Sequence, residues 1–374
     1  MTMRLWCAIS GHGFGHAGQT APVLQQLARL RPDLVLHLTT SVPAELLRIR
    51  LKAPFTIDPL SRDVGVQQKD ALTLDVPATM AALCALHENW HDRLEAEQQQ
   101  MRRWRPDLVL ANIPYLTLAA AQALAIPTVA LASISWDVIL AETCLPYLDQ
   151  VPEQQQQLTA WIATMREAYR RVDKALLLEP ALPGMPFIHP HLIPPMTTQG
   201  QSRPQALRGA MGWSSEDQRP LFLVTLGGIA ANTLPLSVLA VEDRALWLVD
   251  HDRTLLPDVS HVVPLQRIRH QWSFPDIIAS VDGVVSKPGY GMSVDCVMHR
   301  KPLLYVKRGW FPDEGPISRW LVRHGRVHEL SLEQFNRGNW FEPLYHLWQQ
   351  PAPPMQLVEN GSEIACEALL SLCS

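Results

Sequence analysis

The sequence predicts an α/β protein made of two Rossmann-like halves, and three stretches carry that expectation. Residues 5–9 read as a strand that runs into the glycine-rich segment Ser10-Gly11-His12-Gly13-Phe14-Gly15-His16-Ala17-Gly18. A helix follows with Leu24, Leu27, Ala28 and Leu30 on one side, Pro32 stops it, and a second strand covers 34–38, which makes a βαβ unit. Prolines then accumulate at Pro180, Pro183, Pro186, Pro190, Pro194, Pro195 and Pro204, a helix-poor stretch suited to an interdomain connection, with the boundary near residue 196. Beyond it, residues 282–293 read as a short buried strand around Val284 and Val285, a tight turn, and the start of a helix. The expected domains are residues 1–195 and 196–374.

Composition sets the outer limits. At 374 residues the chain exceeds one typical core and suits two α/β domains. Only 18% of residues are charged against 47% hydrophobic, as expected where much sheet is buried. The net charge of -4, with no basic tract, argues against nucleic-acid binding. Cys7, Cys84, Cys144, Cys296, Cys366 and Cys373 have no CxxC pair and no zinc spacing, so free thiols are expected. The apolar run after Arg4 is too short for a signal peptide, and no stretch has the length of a membrane span. These features describe a soluble, cytoplasmic protein, with peripheral membrane contact left open.

Taken in order, the remaining elements repeat the strand–helix alternation. Residues 59–76, with Arg62, Asp63, Gln67, Gln68, Lys69 and Asp70, read as a long polar loop or lid. One long helix is expected over 77–103, with Met80, Leu83, Cys84, Leu86 and Trp90 as its apolar stripe. Strands at 108–111 and 128–132 bracket an Ala/Leu-rich helix, and Ser133-Ile134-Ser135-Trp136-Asp137 follows the second of them directly. Gln154 to Gln157 lies on a surface helix, and 174–178 is a further strand. In the second half, strands are expected at 221–226, 247–249, 262–263 and 303–306, and helices at 274–279 and 361–372. The last helix, with Ile364, Ala368, Leu369 and Leu372 as its apolar face, is expected to pack back on the first domain.

Two glycine motifs bear on chemistry. Gly13, Gly15 and Gly18 satisfy G-x-G-x-x-G, but the next strand ends His37-Leu38-Thr39-Thr40-Ser41 without the carboxylate that would hold a nicotinamide nucleotide's ribose, which argues against a dehydrogenase. The second motif, Lys287-Pro288-Gly289-Tyr290-Gly291-Met292-Ser293, fits an anion site. Gly289 and Gly291 allow close backbone approach, the helix opening at Tyr290 offers free N–H groups, Ser293 adds a hydroxyl and Lys287 a cation.

These motifs resemble the GT-B glycosyltransferases. Residues 10–16, Ser135-Trp136-Asp137, the run 274–282 and Lys287-Pro288-Gly289-Tyr290-Gly291 are similar to the glycosyltransferase-like N-terminal half of plant L-arabinokinase. The first loop is also similar to that of the transferases that build the peptidoglycan lipid precursor and of galactolipid synthases. The resemblance runs from residue 10 to 314 and implies two Rossmann-like domains facing each other across a cleft, with the acceptor on the N-terminal side and a nucleotide-sugar donor, a uridine one, on the C-terminal side. It implies a diphosphate at 289–293, helped by the backbone at Gly13 and Gly228, with Lys287 and Arg308 as counter-charges. Glu314, or Asp313 beside it, corresponds to the acid that grips the ribose, although the family's Glu-x-x-Gln is absent because Gly315, Pro316 and Ile317 follow Glu314. His16 corresponds to the base, His12 is the alternative, and Asp137 would orient the histidine or contact an acceptor. The resemblance implies inverting transfer with no metal and no cofactor beyond the nucleotide-sugar substrate. No kinase phosphate loop occurs, so kinase activity is not implied. Two rivals share the fold: a sugar-nucleotide 2-epimerase and a non-catalytic nucleotide-sugar sensor, which donor turnover separates. Nothing in the loops 59–76 and 133–150 reads as recognition of a particular acceptor.

Overall fold

The computed structural model describes residues 2–227, 234–354 and 357–373. Its first part contains β1 (Arg4–Ile9), α1 (Gly15–Leu30), β2 (Val35–Thr39), α2 (Ala44–Arg50), β3 (Thr56–Asp58), α3 (Val76–His87), α4 (Trp90–Trp104), β4 (Leu108–Asn112), α5 (Tyr115–Ala123), β5 (Thr128–Ala132), α6 (Trp136–Thr143), α7 (Pro152–Arg170), β6 (Lys174–Leu178) and β7 (His191–Ile193). The second contains α8 (Pro204–Met211), β8 (Leu221–Val224), β9 (Leu246–Val249), β10 (Val262–Pro264), α9 (Phe274–Ser280), β11 (Gly283–Ser286), α10 (Tyr290–Met298), β12 (Leu303–Val306), α11 (Glu314–His324), β13 (Val327–Leu330), α12 (Leu332–Asn336), α13 (Phe341–Gln349) and α14 (Gly361–Leu370).

The strands pair in parallel into two sheets, β3-β2-β1-β4-β5-β6-β7 and β10-β9-β8-β11-β12-β13. Both follow the doubly wound order, which reverses direction at β1/β4 and at β8/β11, and ligands in such sheets bind beyond the strand ends at that reversal. The central strands β4, β5, β8 and β11 are buried along their whole length, as helices on both faces require.

The structure differs from the sequence expectation in several places. The long helix breaks between His87 and Trp90, where Asn89 leaves helical geometry (φ −109, ψ 27). The break lets the His87 ring stack on Trp90, Tyr115 and Trp161 with centroids 5.1–5.8 Å apart, a tertiary packing gain that periodicity does not register. In α1, Leu24 and Leu27 are buried while Leu30 is exposed, so the apolar stripe ends a turn early. The segment 59–75 is not an open polar lid. Arg62 is buried between Asp58 and Glu97, Ala71 sits in the core of the second sheet, and the Trp310 indole donates to the Leu72 carbonyl at 2.7 Å. The loop therefore spans the two sheets as part of the packed interior.

After the second sheet the chain returns to the first. Helix α14 packs on α1, β6 and β7, and the Cys366 thiol donates to the Val23 carbonyl at 3.5 Å. Gly361 allows this approach, since a Cβ there would lie 2.5 Å from the Pro194 carbonyl oxygen.

Candidate active site

The C-terminal ends of both sheets open onto one cavity of about 390 Å³, walled by residues of both halves. On the second-sheet side its floor is the start of α10. Gly289 caps that helix with φ −81, and a Cβ on either Gly289 or Gly291 would meet nothing within 4 Å. The glycines therefore leave space over the helix terminus; neither is needed for a positive φ. The first turn leaves N–H groups without intrahelical partners, and the helix dipole makes that end attractive to an anion. Tyr290 is buried beside it and its hydroxyl accepts from the Met196 amide at 3.4 Å. Ser293 is fully buried, lines no part of the cavity, and among the described residues its hydroxyl has no hydrogen-bond partner, so it is not brought to the cavity.

Charges converge from the loops after β11 and β12. Lys287 lines the cavity at 8% exposure, and burial, reinforced by the Arg308 cation, pulls its ammonium down to about 7. Arg308 lies 4.0 Å over the Phe311 ring and donates from Nε to Glu314 Oε1 at 2.7 Å. The Arg308 and Gly309 amides donate to the two Glu314 oxygens at 2.9 and 3.0 Å. Glu314 is thus fully engaged in shaping its own loop and does not line the cavity, unlike Asp313, whose carboxyl burial pushes up to about 7. Asp295, one turn on from Gly291, also lines the cavity; it accepts from the Thr197 hydroxyl and is held protonated to higher pH by burial. Asp250 closes the far wall, bound by Thr225 at 2.9 Å and Arg269 at 2.7 Å, next to Trp272 and Phe274. Gly228 lies outside the described residues; its neighbour Gly227 is at the cavity with φ +79.

The first-sheet wall is the loop between β1 and α1. Gly13 there has φ +72, a conformation only glycine adopts without strain. His16, 5% exposed, presents Nδ1 to Asn112 Oδ1 at 2.7 Å. Asn112 in turn donates its amide to Gln19 Oε1 at 2.9 Å and Thr20 Oγ1 at 3.2 Å, which fixes the amide so that its oxygen faces the ring. Nδ1 of His16 must then carry the hydrogen, and Nε2 keeps the lone pair. Burial lowers the His16 pKa, opposed by Asn112 and by the charge of Asp63. Asp63 accepts from the Trp136 indole at 2.6 Å. His12 packs edge-on against Trp136 with centroids 5.0 Å apart. Burial, followed by the charges of His16, Lys287 and Arg308, drives its pKa down to about 3. Burial thus favours the neutral form of both histidines. Asp137 stands elsewhere: fully buried, it pairs with Arg166 at 3.1 Å and does not reach the cavity. Asp63 is the carboxylate beside the histidines, delivered by the packed loop.

No family model matches this chain. Over 367 residues the sequence is 24% identical to L-arabinokinase of Arabidopsis thaliana, a match covering 96% of this chain and 33% of that protein. The chain thus spans about a third of the length of this curated relative. Among solved structures, the glycotransferase of kitacinnamycin aligns with a TM-score of 0.62 at 15% identity, over 99% of this chain and 94% of the other. MurG of Acinetobacter baumannii aligns with a TM-score of 0.56 at 13% identity, over 99% and 100%. The glycosyltransferase VinC in complex with DTDP aligns with a TM-score of 0.54 at 17% identity, over 99% and 95%. The fold is GT-B.

Several residues in and behind the cavity escape sequence reasoning. Asn112 and Asp250 directly close or follow strands, and a polar residue at such a strand end is the signal that finds them. Asp295 lies four residues after Gly291 on the same helix face, a spacing readable once the helix start is placed. Asp63 carries no local signal, since only the folding of its loop brings it to Trp136. Among the described residues no helix is long and apolar enough to cross a membrane.

Proposed function

We propose that this chain is a glycosyltransferase that moves a sugar from a nucleotide diphosphate donor, a uridine one in the first instance, to a hydroxyl acceptor with inversion. The observation that carries the reading is one cavity with two opposed chemical walls. One is the glycine-open start of α10 with Lys287; the other is a neutral histidine, His16, whose Nδ1–H is pinned by Asn112. The DTDP in the VinC structure fits a nucleotide-linked donor for this fold.

In the proposed reaction Nε2 of His16 takes the proton of the acceptor hydroxyl as its oxygen bonds to the anomeric carbon. The bond from that carbon to the diphosphate oxygen breaks, and the electron pair leaves with the diphosphate. The α10 amides and Lys287 meet the developing negative charge, without calling on a metal ion. A single in-line displacement inverts the anomeric centre. Asp295 and Asp313, which line the cavity, rather than Glu314, are the acids placed to meet ligand hydroxyls, and Trp272 and Phe274 offer a planar wall for a base. The test is calorimetric titration with UDP and thymidine diphosphate, followed by turnover of the corresponding sugar nucleotides. Binding with slow hydrolysis or transfer supports the proposal. Epimer exchange indicates the epimerase, and binding without any turnover indicates a sensor. No binding of any nucleotide diphosphate at millimolar concentration removes the donor site.

A further inference from the structure

One cation remains in the cleft after the second-sheet site is assembled. Arg50, the last residue of α2, lines the cavity from the first-sheet side. Its guanidinium rests on α1: a Cβ built on Gly18 would lie 3.3 Å from Nη1. Among the described residues it makes no hydrogen bond and no ion pair. Burial depresses its pKa, and Asp295 is the charge that opposes the effect, yet that carboxylate is bound by Thr197 and forms no ion pair with the guanidinium.

The surroundings of Arg50 are open on two sides. Gly15, one turn before Gly18 on α1, and Gly289 and Gly291 on α10 each have nothing within 4 Å of a built Cβ. Two glycine faces thus look onto the same cavity, with a guanidinium lacking an ion pair on one and a helix N-terminus on the other. A partly desolvated charge without a partner is unfavourable, and a guanidinium's fork of donors matches phosphate oxygens two at a time. The ligand proposed above brings one such anion, its diphosphate.

We infer that Arg50 grips the phosphates of the nucleotide seated at α10 from the opposite wall, so that both halves of the chain hold one anion. The inference rests on the donor reading and adds a first-half side-chain charge to the donor contacts, beyond the backbone at Gly13. An anionic acceptor is the rival partner for Arg50, and the same experiment separates the two.

The measurement is titration calorimetry of the full chain and of R50Q and R50K, with UDP, thymidine diphosphate, uridine and thymidine, alongside acceptor kinetics. R50Q should weaken the diphosphates by about tenfold or more, the loss of at least one charge-assisted hydrogen bond, while the nucleosides bind as before and report an intact fold. R50K keeps the charge but not the fork, and should fall between. If R50Q does not fold, R50K decides: a diphosphate-specific loss supports the inference, and unchanged affinity overturns it. Equal losses for nucleosides and diphosphates would make Arg50 structural. A raised acceptor KM with unchanged nucleotide affinity would assign it to the acceptor. Either result overturns the inference while leaving the donor site standing. A wild-type chain that binds no nucleotide brings down the donor reading first.

Discussion

Replacing Gly291 by alanine should move stability and nucleotide affinity in opposite directions. Gly291 is the second residue of α10, has no positive φ, and a Cβ placed on it meets nothing within 4 Å. Alanine is favoured over glycine in a helix by up to about 1 kcal/mol, and no clash offsets that gain. For domains of this size the difference raises Tm by about 2–4 °C. A bound phosphate, however, needs the same space to reach the residue 291 amide. Loss of one charge-assisted hydrogen bond costs about 1.5–3 kcal/mol, or about 10- to 150-fold in Kd. Thermal melts without ligand and calorimetry with UDP read the two effects separately. Gly283→Ala is the contrast, because its Cβ would lie 2.9 Å from Leu344 Cδ1 and 3.2 Å from Phe222 Cδ1, and overpacking should lower Tm. A Gly291→Ala protein that melts higher and binds UDP as tightly as wild type would refute the anion site, leaving the glycine as a plain turn residue. One that melts lower would refute the claim that the space above α10 is empty for the ligand's sake.

Two further outcomes are expected. His16→Ala should lower kcat by about 10²–10⁴ with little change in UDP affinity, because its ring faces the acceptor side, whereas His12→Ala should cost less; the reverse ranking in steady-state kinetics would exchange their roles. Between pH 6.5 and 8.5 UDP affinity should fall by up to tenfold per unit, since Lys287 loses its cation and Asp313 gains a negative charge as pH rises through about 7. Uridine should show no such slope, and Lys287→Met should flatten it; an affinity that rises with pH would contradict the placement of both groups.

Sequence legibility followed how local each signal is. Both βαβ starts, both glycine turns and every central strand were readable, because a buried parallel strand is a run of apolar residues bounded by breakers and needs no knowledge of its partners. The strands that went unread, β3, β7 and β13, are three or four residues long and sit at sheet edges, where half-exposure erases the apolar run. The site divides along the same line. Lys287, Gly289 and Gly291 lie within one turn and were found together, whereas His16 acquires its tautomer from Asn112, 96 residues away, and its nearby acid from a loop expected to be solvated. Glu314 and Asp137 show the converse. Each is an acid downstream of a strand that sequence reasoning singles out, yet in the fold each is paired with an arginine, Arg308 or Arg166, and neither lines the cavity. A carboxylate's availability is a property of its partners, and Arg50 makes the same point with the sign reversed. Nothing in its local sequence distinguishes it from Arg48, but among the described residues only Arg50 of the two ends inside the cavity, and without an ion pair. In a cleft built by two sheets, the residues that matter are those whose charge remains uncompensated once each half has folded, and those are where a ligand's own charge has to go.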